Sequence, residues 1–199
     1  MLLTLGCLVL AAAWLGPLPA LARHSFAAHM ALHIAVVAIA APLMAAGLAR
    51  TPADPVLRWP RLFAPIPASI VELAVVWGWH LPVLHEAARG STGVLLVEQL
   101  TFLASGLLLW SAAVGGQSMQ HWRAGAGIAA LLFTSIHMTL LGALFAVSPR
   151  ALYGHGDLFD QHLGGAIMLL VGGASYLIGG LWLTASVLKQ QPIDGRHGT

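Results

Sequence analysis

The long apolar runs of this chain carry almost no charge, and that feature fixes where it can fold. Over residues 27–48 the ionisable side chains are His29 and His33, over 93–113 there is Glu98, and over 125–147 there is His137. Charged residues make up 8% of the chain and hydrophobic residues 58%, whereas soluble domains are about 25% charged. The expected fold is therefore all-α, a polytopic membrane helix bundle with the lipid bilayer as its solvent. At about 20 residues per span, the 199 residues form one integral membrane domain with no room for a separate soluble one. Breaks marked by Pro, Gly and charge place about six transmembrane helices, near 2–21, 27–48, 66–84, 93–113, 125–147 and 163–187.

The first run is ambiguous. Ala20-Leu21-Ala22 has the small-residue form of a signal-peptidase site, but no Lys or Arg precedes the apolar stretch, which favours a retained helix. Cleavage would leave five helices. Orientation follows from the cations, which collect in cytoplasmic loops. With six helices one side receives Arg50, Arg58, Arg61, Arg123, Lys189 and Arg196, and the other receives Arg23, Arg89 and Arg150. Both termini are thus expected in the cytoplasm. That arrangement sends His29, His33, His80, His85, Glu98, His155, Asp157, Asp160 and His162 to the outer side, and leaves His121 and His197 on the inner one.

A formal net charge of +2 on scattered cations gives no nucleic-acid surface. The lone cysteine, Cys7, excludes an internal disulfide and any Cys-x-x-Cys motif. Any metal chemistry must therefore use His, Met and carboxylate. In His29-Met30-Ala31-Leu32-His33 the two imidazoles lie at i and i+4 and share one helix face, and imidazole is the commonest transition-metal ligand. A single His at a membrane interface usually just meets water and headgroups, but His33 lies more than a turn in, where polar groups face the bundle interior. His80 closes Trp77-Gly78-Trp79-His80-Leu81-Pro82 at a similar depth, beside tryptophans that read as an interfacial belt.

Glu98 cannot stay ionised in lipid without a partner: a hydrogen bond to a neighbouring helix, a metal, or a metal-bound His would serve. Asp160 reads as a helix N-cap or as a ligand. His162 and the His137-Met138 pair add soft donors of the kind that suit copper. Glu72, in the inner half of the third run, has no evident role. Gly125-x-Gly127, Gly142, Gly164-Gly165, Gly172-Gly173 and Gly179-Gly180 read as close helix packing and not as phosphate loops, because no strand precedes them.

Taken in order, Ser25-Phe26-Ala27-Ala28-His29-Met30-x-x-His33, Trp79-His80-Leu81-Pro82, Glu98-Gln99-Leu100-Thr101-Phe102-Leu103, Leu141-Gly142-Ala143-Leu144, Pro149-Arg150-Ala151-Leu152-Tyr153 and Asp160-Gln161-His162-Leu163-Gly164-Gly165-Ala166-Ile167-Met168 resemble the CtaG family of bacterial membrane proteins. The resemblance covers nearly the whole chain from Ser25 onward and lies in the ordered set. It implies a non-enzymatic assembly factor of the bacterial inner membrane that matures haem-copper cytochrome c oxidase by supplying copper to the catalytic subunit. The polar positions it carries over are His29, His33, His80, Glu98, Asp160 and Gln161. Gln99 departs from the pattern, which leads one to expect His after the Glu, and Glu72 lies outside it.

The residues taken alone leave two other classes open. Buried His can ligate a b-type haem in an electron carrier, and His with Glu98 or Asp160 can hold zinc for an intramembrane hydrolase. The chain has no His-Glu-x-x-His motif to support the latter.

Overall fold

The computed structural model describes residues 1–116, 121–153 and 157–189, and every regular element among them is helical. The helices are α1 (Leu2–Leu15), α2 (Leu18–Leu21), α3 (Phe26–Leu48), α4 (Pro55–Arg58), α5 (Pro65–Trp79), α6 (Pro82–Gly90), α7 (Thr92–Val114), α8 (His121–Val147) and α9 (Leu158–Lys189). Of these, α3, α7, α8 and α9 are long and apolar enough to cross a membrane. The pair α5 and α6, bent by 71°, makes a fifth candidate. This is fewer than the six read from the sequence, and the differences have local causes. The run expected as one helix over 2–21 breaks at Gly16-Pro17, leaving a helix of 14 residues and one of 4. The run expected over 66–84 stops at Trp79, because Pro82 disfavours helical backbone in Leu81 and starts a new helix from its own first turn.

Polar and apolar residues are distributed as lipid demands. Ile136, Leu140, Val147, Leu170, Ile178 and Trp182 are exposed, whereas His29, His33, Glu72, Glu98, Thr134 and Gln161 are buried. Small residues let the helices approach. A Cβ on Gly142 would meet Leu169 backbone at 2.6 Å, one on Gly165 would meet Ala146 N at 2.4 Å, and one on Gly47 would meet Leu3 N at 2.4 Å. Gly127, Gly164, Gly172, Gly173, Gly179 and Gly180 are similarly crowded, but Gly125 faces open space.

Two of the long helices contain a π-helical segment, Ala35–Ala40 in α3 and Met168–Gly173 in α9. In α3 the cause is Pro42: it has no N–H to give the carbonyl four residues earlier and its ring crowds that carbonyl. That carbonyl, of Ala38, instead accepts from Ser175 Oγ at 2.6 Å. The neighbouring Val37 carbonyl accepts from Trp110 Nε1 at 3.1 Å and lies 3.2 Å from the Tyr176 hydroxyl. Tyr176 also hydrogen-bonds Glu72 Oε1, so Glu72 gains a partner that its sequence position did not reveal. In α9 the Gly173 carbonyl accepts from Ser135 Oγ at 2.8 Å.

The glycine contacts set a pair of expectations for thermal unfolding in detergent. Gly165→Ala should lower the melting temperature and the folded yield, since backbone must move to admit the methyl. Gly78→Ala, with nothing within 4 Å, should raise stability by up to about 1 kcal/mol through helix propensity alone.

Candidate metal-binding site

The N-terminal end of α3 is built first. Ser25 caps it, accepting from Ala28 N at 3.1 Å. Asp160, from α9, then closes the same helix end: its carboxylate accepts from Ser25 Oγ at 2.7 Å, Phe26 N at 2.5 Å and Ala27 N at 3.2 Å. Carboxylates are favoured at that end by the unpaired N–H groups and the helix dipole. The cap of α9 itself is Asp157, which accepts from Phe159 N.

With α3 anchored, His29 and His33 point into the bundle, 1% and 0% exposed. His29 Nε2 lies 3.0 Å from Glu98 Oε1, which answers the need of a buried carboxylate for a partner. Gln99 Nε2 donates to Glu98 Oε2 at 3.4 Å. The bend at Pro82 returns α6 over this pair, so that the His85 ring lies 4.6 Å from His29 and stacks on Tyr153 at 4.2 Å. The Tyr153 hydroxyl donates to the His80 carbonyl at 2.8 Å. Burial, with the charges of Glu86 and Glu98 adding to it, pushes the Tyr153 phenol above its usual range, so it stays a donor. His80 Nδ1 donates to the Val76 carbonyl at 2.6 Å, and its ring lies 5.3 Å from that of His33. His33 in turn stacks on Phe102 at 3.8 Å.

The result is a buried group of four imidazoles and one carboxylate with aromatic walls. Several nitrogens have no hydrogen-bond partner: His29 Nδ1 and both nitrogens of His33 and of His85. Buried polar atoms are normally satisfied, and these five nitrogens depart from that rule. No three His, Cys, Asp or Glu among the described residues already stand in metal-holding geometry.

Of the residues singled out in the sequence, His29, His33, His80 and Glu98 are brought together. Asp160 is occupied by capping α3. His162 Nε2 donates to the Ser148 carbonyl at 2.9 Å. His137 sits edge-on to Phe133, 5.6 Å between ring centroids, with both nitrogens unpartnered. Gln161 braces the loop between α8 and α9, accepting from Leu152 N at 2.7 Å and donating to the Phe145 carbonyl at 3.3 Å. His155, His197 and the side chain of His121 lie outside the described residues. His85 and Met30 join the cluster without having been among its expected members. His85 follows a proline, and only the direction of the bend reveals its position.

A model of the cytochrome c oxidase caa3 assembly factor family matches residues 1–190. The chain belongs to that family. No curated protein and no solved structure gives a significant match. In this assembly factor the family match spans every helix described above, the imidazole group included.

The capping role of Asp160 is directly testable. Asp160→Ala should cost about 1–3 kcal/mol of stability, the range for losing a charged acceptor of helix-end donors. A thermal melt in detergent should show the loss, while metal titrations of the folded fraction should match wild type.

Proposed function

We propose that this assembly factor binds copper at the imidazole group of His29, His33, His80 and Glu98 and assists its insertion into the catalytic subunit of cytochrome c oxidase. The observation that carries the reading is the set of unpartnered imidazole nitrogens inside the bundle. Such atoms cost free energy in a dry interior unless a proton donor or a metal meets them. Copper is the transported cargo, passed on by exchange of its coordinate bonds from one ligand set to the next with no substrate chemically transformed. The protein therefore acts as a binding and transfer module and not as an enzyme. Haem ligation fits less well, because imidazole rings 4.6 Å and 5.3 Å apart are closer than two axial ligands on opposite faces of a macrocycle.

The site lies toward the outer face of the bacterial inner membrane, and both termini are cytoplasmic, with α1 and α2 running back along α3 as a sixth crossing, Leu3 beside Gly47 and Ala13 packed with Leu32. The cation bias between the two loop sets supports this orientation. The two sets lie at opposite ends of α3: Arg23 and Arg89 meet at its N-terminal end, where the Arg89 guanidinium donates to the Arg23 carbonyl at 3.1 Å, and Arg50 lies beyond the other end. Reporter fusions after Arg61 and after Lys189 should read as cytoplasmic, and one placed after Ser148 should read as external. An external C-terminus would reverse the direction of delivery.

Copper content of the detergent-purified protein tests the site. His33→Ala and His80→Ala should each abolish stoichiometric copper, whereas His121→Ala and His197→Ala should leave it unchanged. In cells, deletion of the protein should lower assembled oxidase activity although the oxidase polypeptides are still made. The double variant His29→Ala/His33→Ala should insert normally and reproduce the deletion. Full oxidase activity with normal copper in the oxidase of that strain would refute delivery.

A further inference from the structure

The His80 imidazole is held in one tautomer. Its Nδ1 faces the Val76 carbonyl at 2.6 Å, and a carbonyl can only accept, so Nδ1 carries the ring proton. In the neutral ring Nε2 then presents a lone pair, and that lone pair faces Met30 Sδ at 3.4 Å. A thioether also has only lone pairs to offer. Two acceptors therefore confront each other, 8% and 0% exposed, with no proton between them. Protonating His80 would put a cation there without a counter-ion, since Glu98 is engaged by His29. A Lewis acid between the two atoms satisfies both.

Both nitrogens of His33 are unpartnered, and its ring lies 5.3 Å from that of His80. Met30 and His33 are at i and i+3 on α3, which puts them on neighbouring positions of one face. Phe102 fixes the His33 ring by stacking, and Phe145 lies 5.7 Å from the His80 ring. We propose that Met30, His33 and His80 form a three-coordinate site selective for Cu(I), with the Met30 thioether as a ligand. This rests on the copper reading above and narrows it to one oxidation state and one ligand set.

The chemistry selects the ion. Thioether is a soft neutral donor that selects Cu(I) and neutral imidazole also suits copper, whereas hard ions such as Mg2+ and Ca2+ take oxygen ligands. Neutral ligands leave the whole ionic charge uncompensated, and the cost of burying charge grows with its square, so a monovalent ion suits a dry aromatic pocket better than a divalent one. This also accounts for the lack of a His/carboxylate triad among the described residues: the third donor type is sulfur.

The test is an anaerobic titration of the full-length protein in detergent with Cu(I) against a competing chromophoric Cu(I) chelator. Cu(II) and Zn(II) are titrated in parallel, and X-ray absorption is recorded at the copper edge. A Cys7→Ala background removes the exposed thiol, so that any sulfur neighbour is a thioether. The parent should bind one Cu(I) with a sulfur neighbour, in preference to Zn(II). Met30→Leu, which nearly conserves volume, should weaken Cu(I) at least tenfold and lose the sulfur signal at an unchanged melting temperature. Selenomethionine labelling of the parent gives a second readout without a substitution, in which a selenium neighbour should replace the sulfur. Tight Cu(I) binding with nitrogen neighbours alone, equal in Met30→Leu, would overturn the thioether site and leave the copper reading standing. No binding of either copper ion by the parent would overturn both.

Discussion

The carboxylate of Asp160 holds together the end of the bundle at which α3 begins. It takes up two backbone N–H groups at the start of α3 and the hydroxyl of Ser25, donors that no other residue of α3 can satisfy. The bond is made across the helix interface, so it also fixes α9 against α3. Gly164 then accepts the Phe26 ring, which would lie 2.4 Å from any Cβ there. That contact packs the same end of α3 against α9. A residue that looks like a ligand in the sequence thus acts instead on the end of the helix that carries His29 and His33.

A second constraint governs the half of the bundle around Pro42. Pro42 cannot continue the hydrogen-bond ladder of α3, and in lipid the carbonyls it frees must find donors within the protein. Ser175, Trp110 and Tyr176 supply them, and Tyr176 ties the arrangement to Glu72 on α5. The same proline therefore recruits α5, α7 and α9 to one point on α3. These bonds are worth little singly against water, but the bilayer offers no water to compete.

Between these two anchored levels lies the imidazole group. Its polar atoms are paired at the edges, where Glu98 meets His29 and Val76 meets His80. They are unpaired at the centre, on His33, His85 and the Met30-His80 contact. A fully satisfied network would be rigid and inert, whereas an unsatisfied one in an aromatic setting retains affinity for a soft ion.

The sequence by itself determined the solvent, the helical class and the family, because uncharged runs of about 20 residues and an ordered set of motifs are local properties that survive without coordinates. It also placed His29 and His33 on one face, since helical periodicity is local too. The tertiary structure decided what depends on directions between segments. The 71° bend between Pro65–Trp79 and Pro82–Gly90 brought His85 over His29, a position that spacing across a proline does not specify. The cross-helix cap took Asp160 out of the cluster, although an Asp at the head of a helix reads first as its own cap. Met30, an apolar residue by periodicity, met His80 fifty positions away. Glu72, which had no role in the sequence, found Tyr176, whose hydroxyl also lies at the Val37 carbonyl beside the Pro42 distortion. Each of these outcomes depends on which donors were left unpaired by a neighbouring helix, and that follows only from how the helices pack.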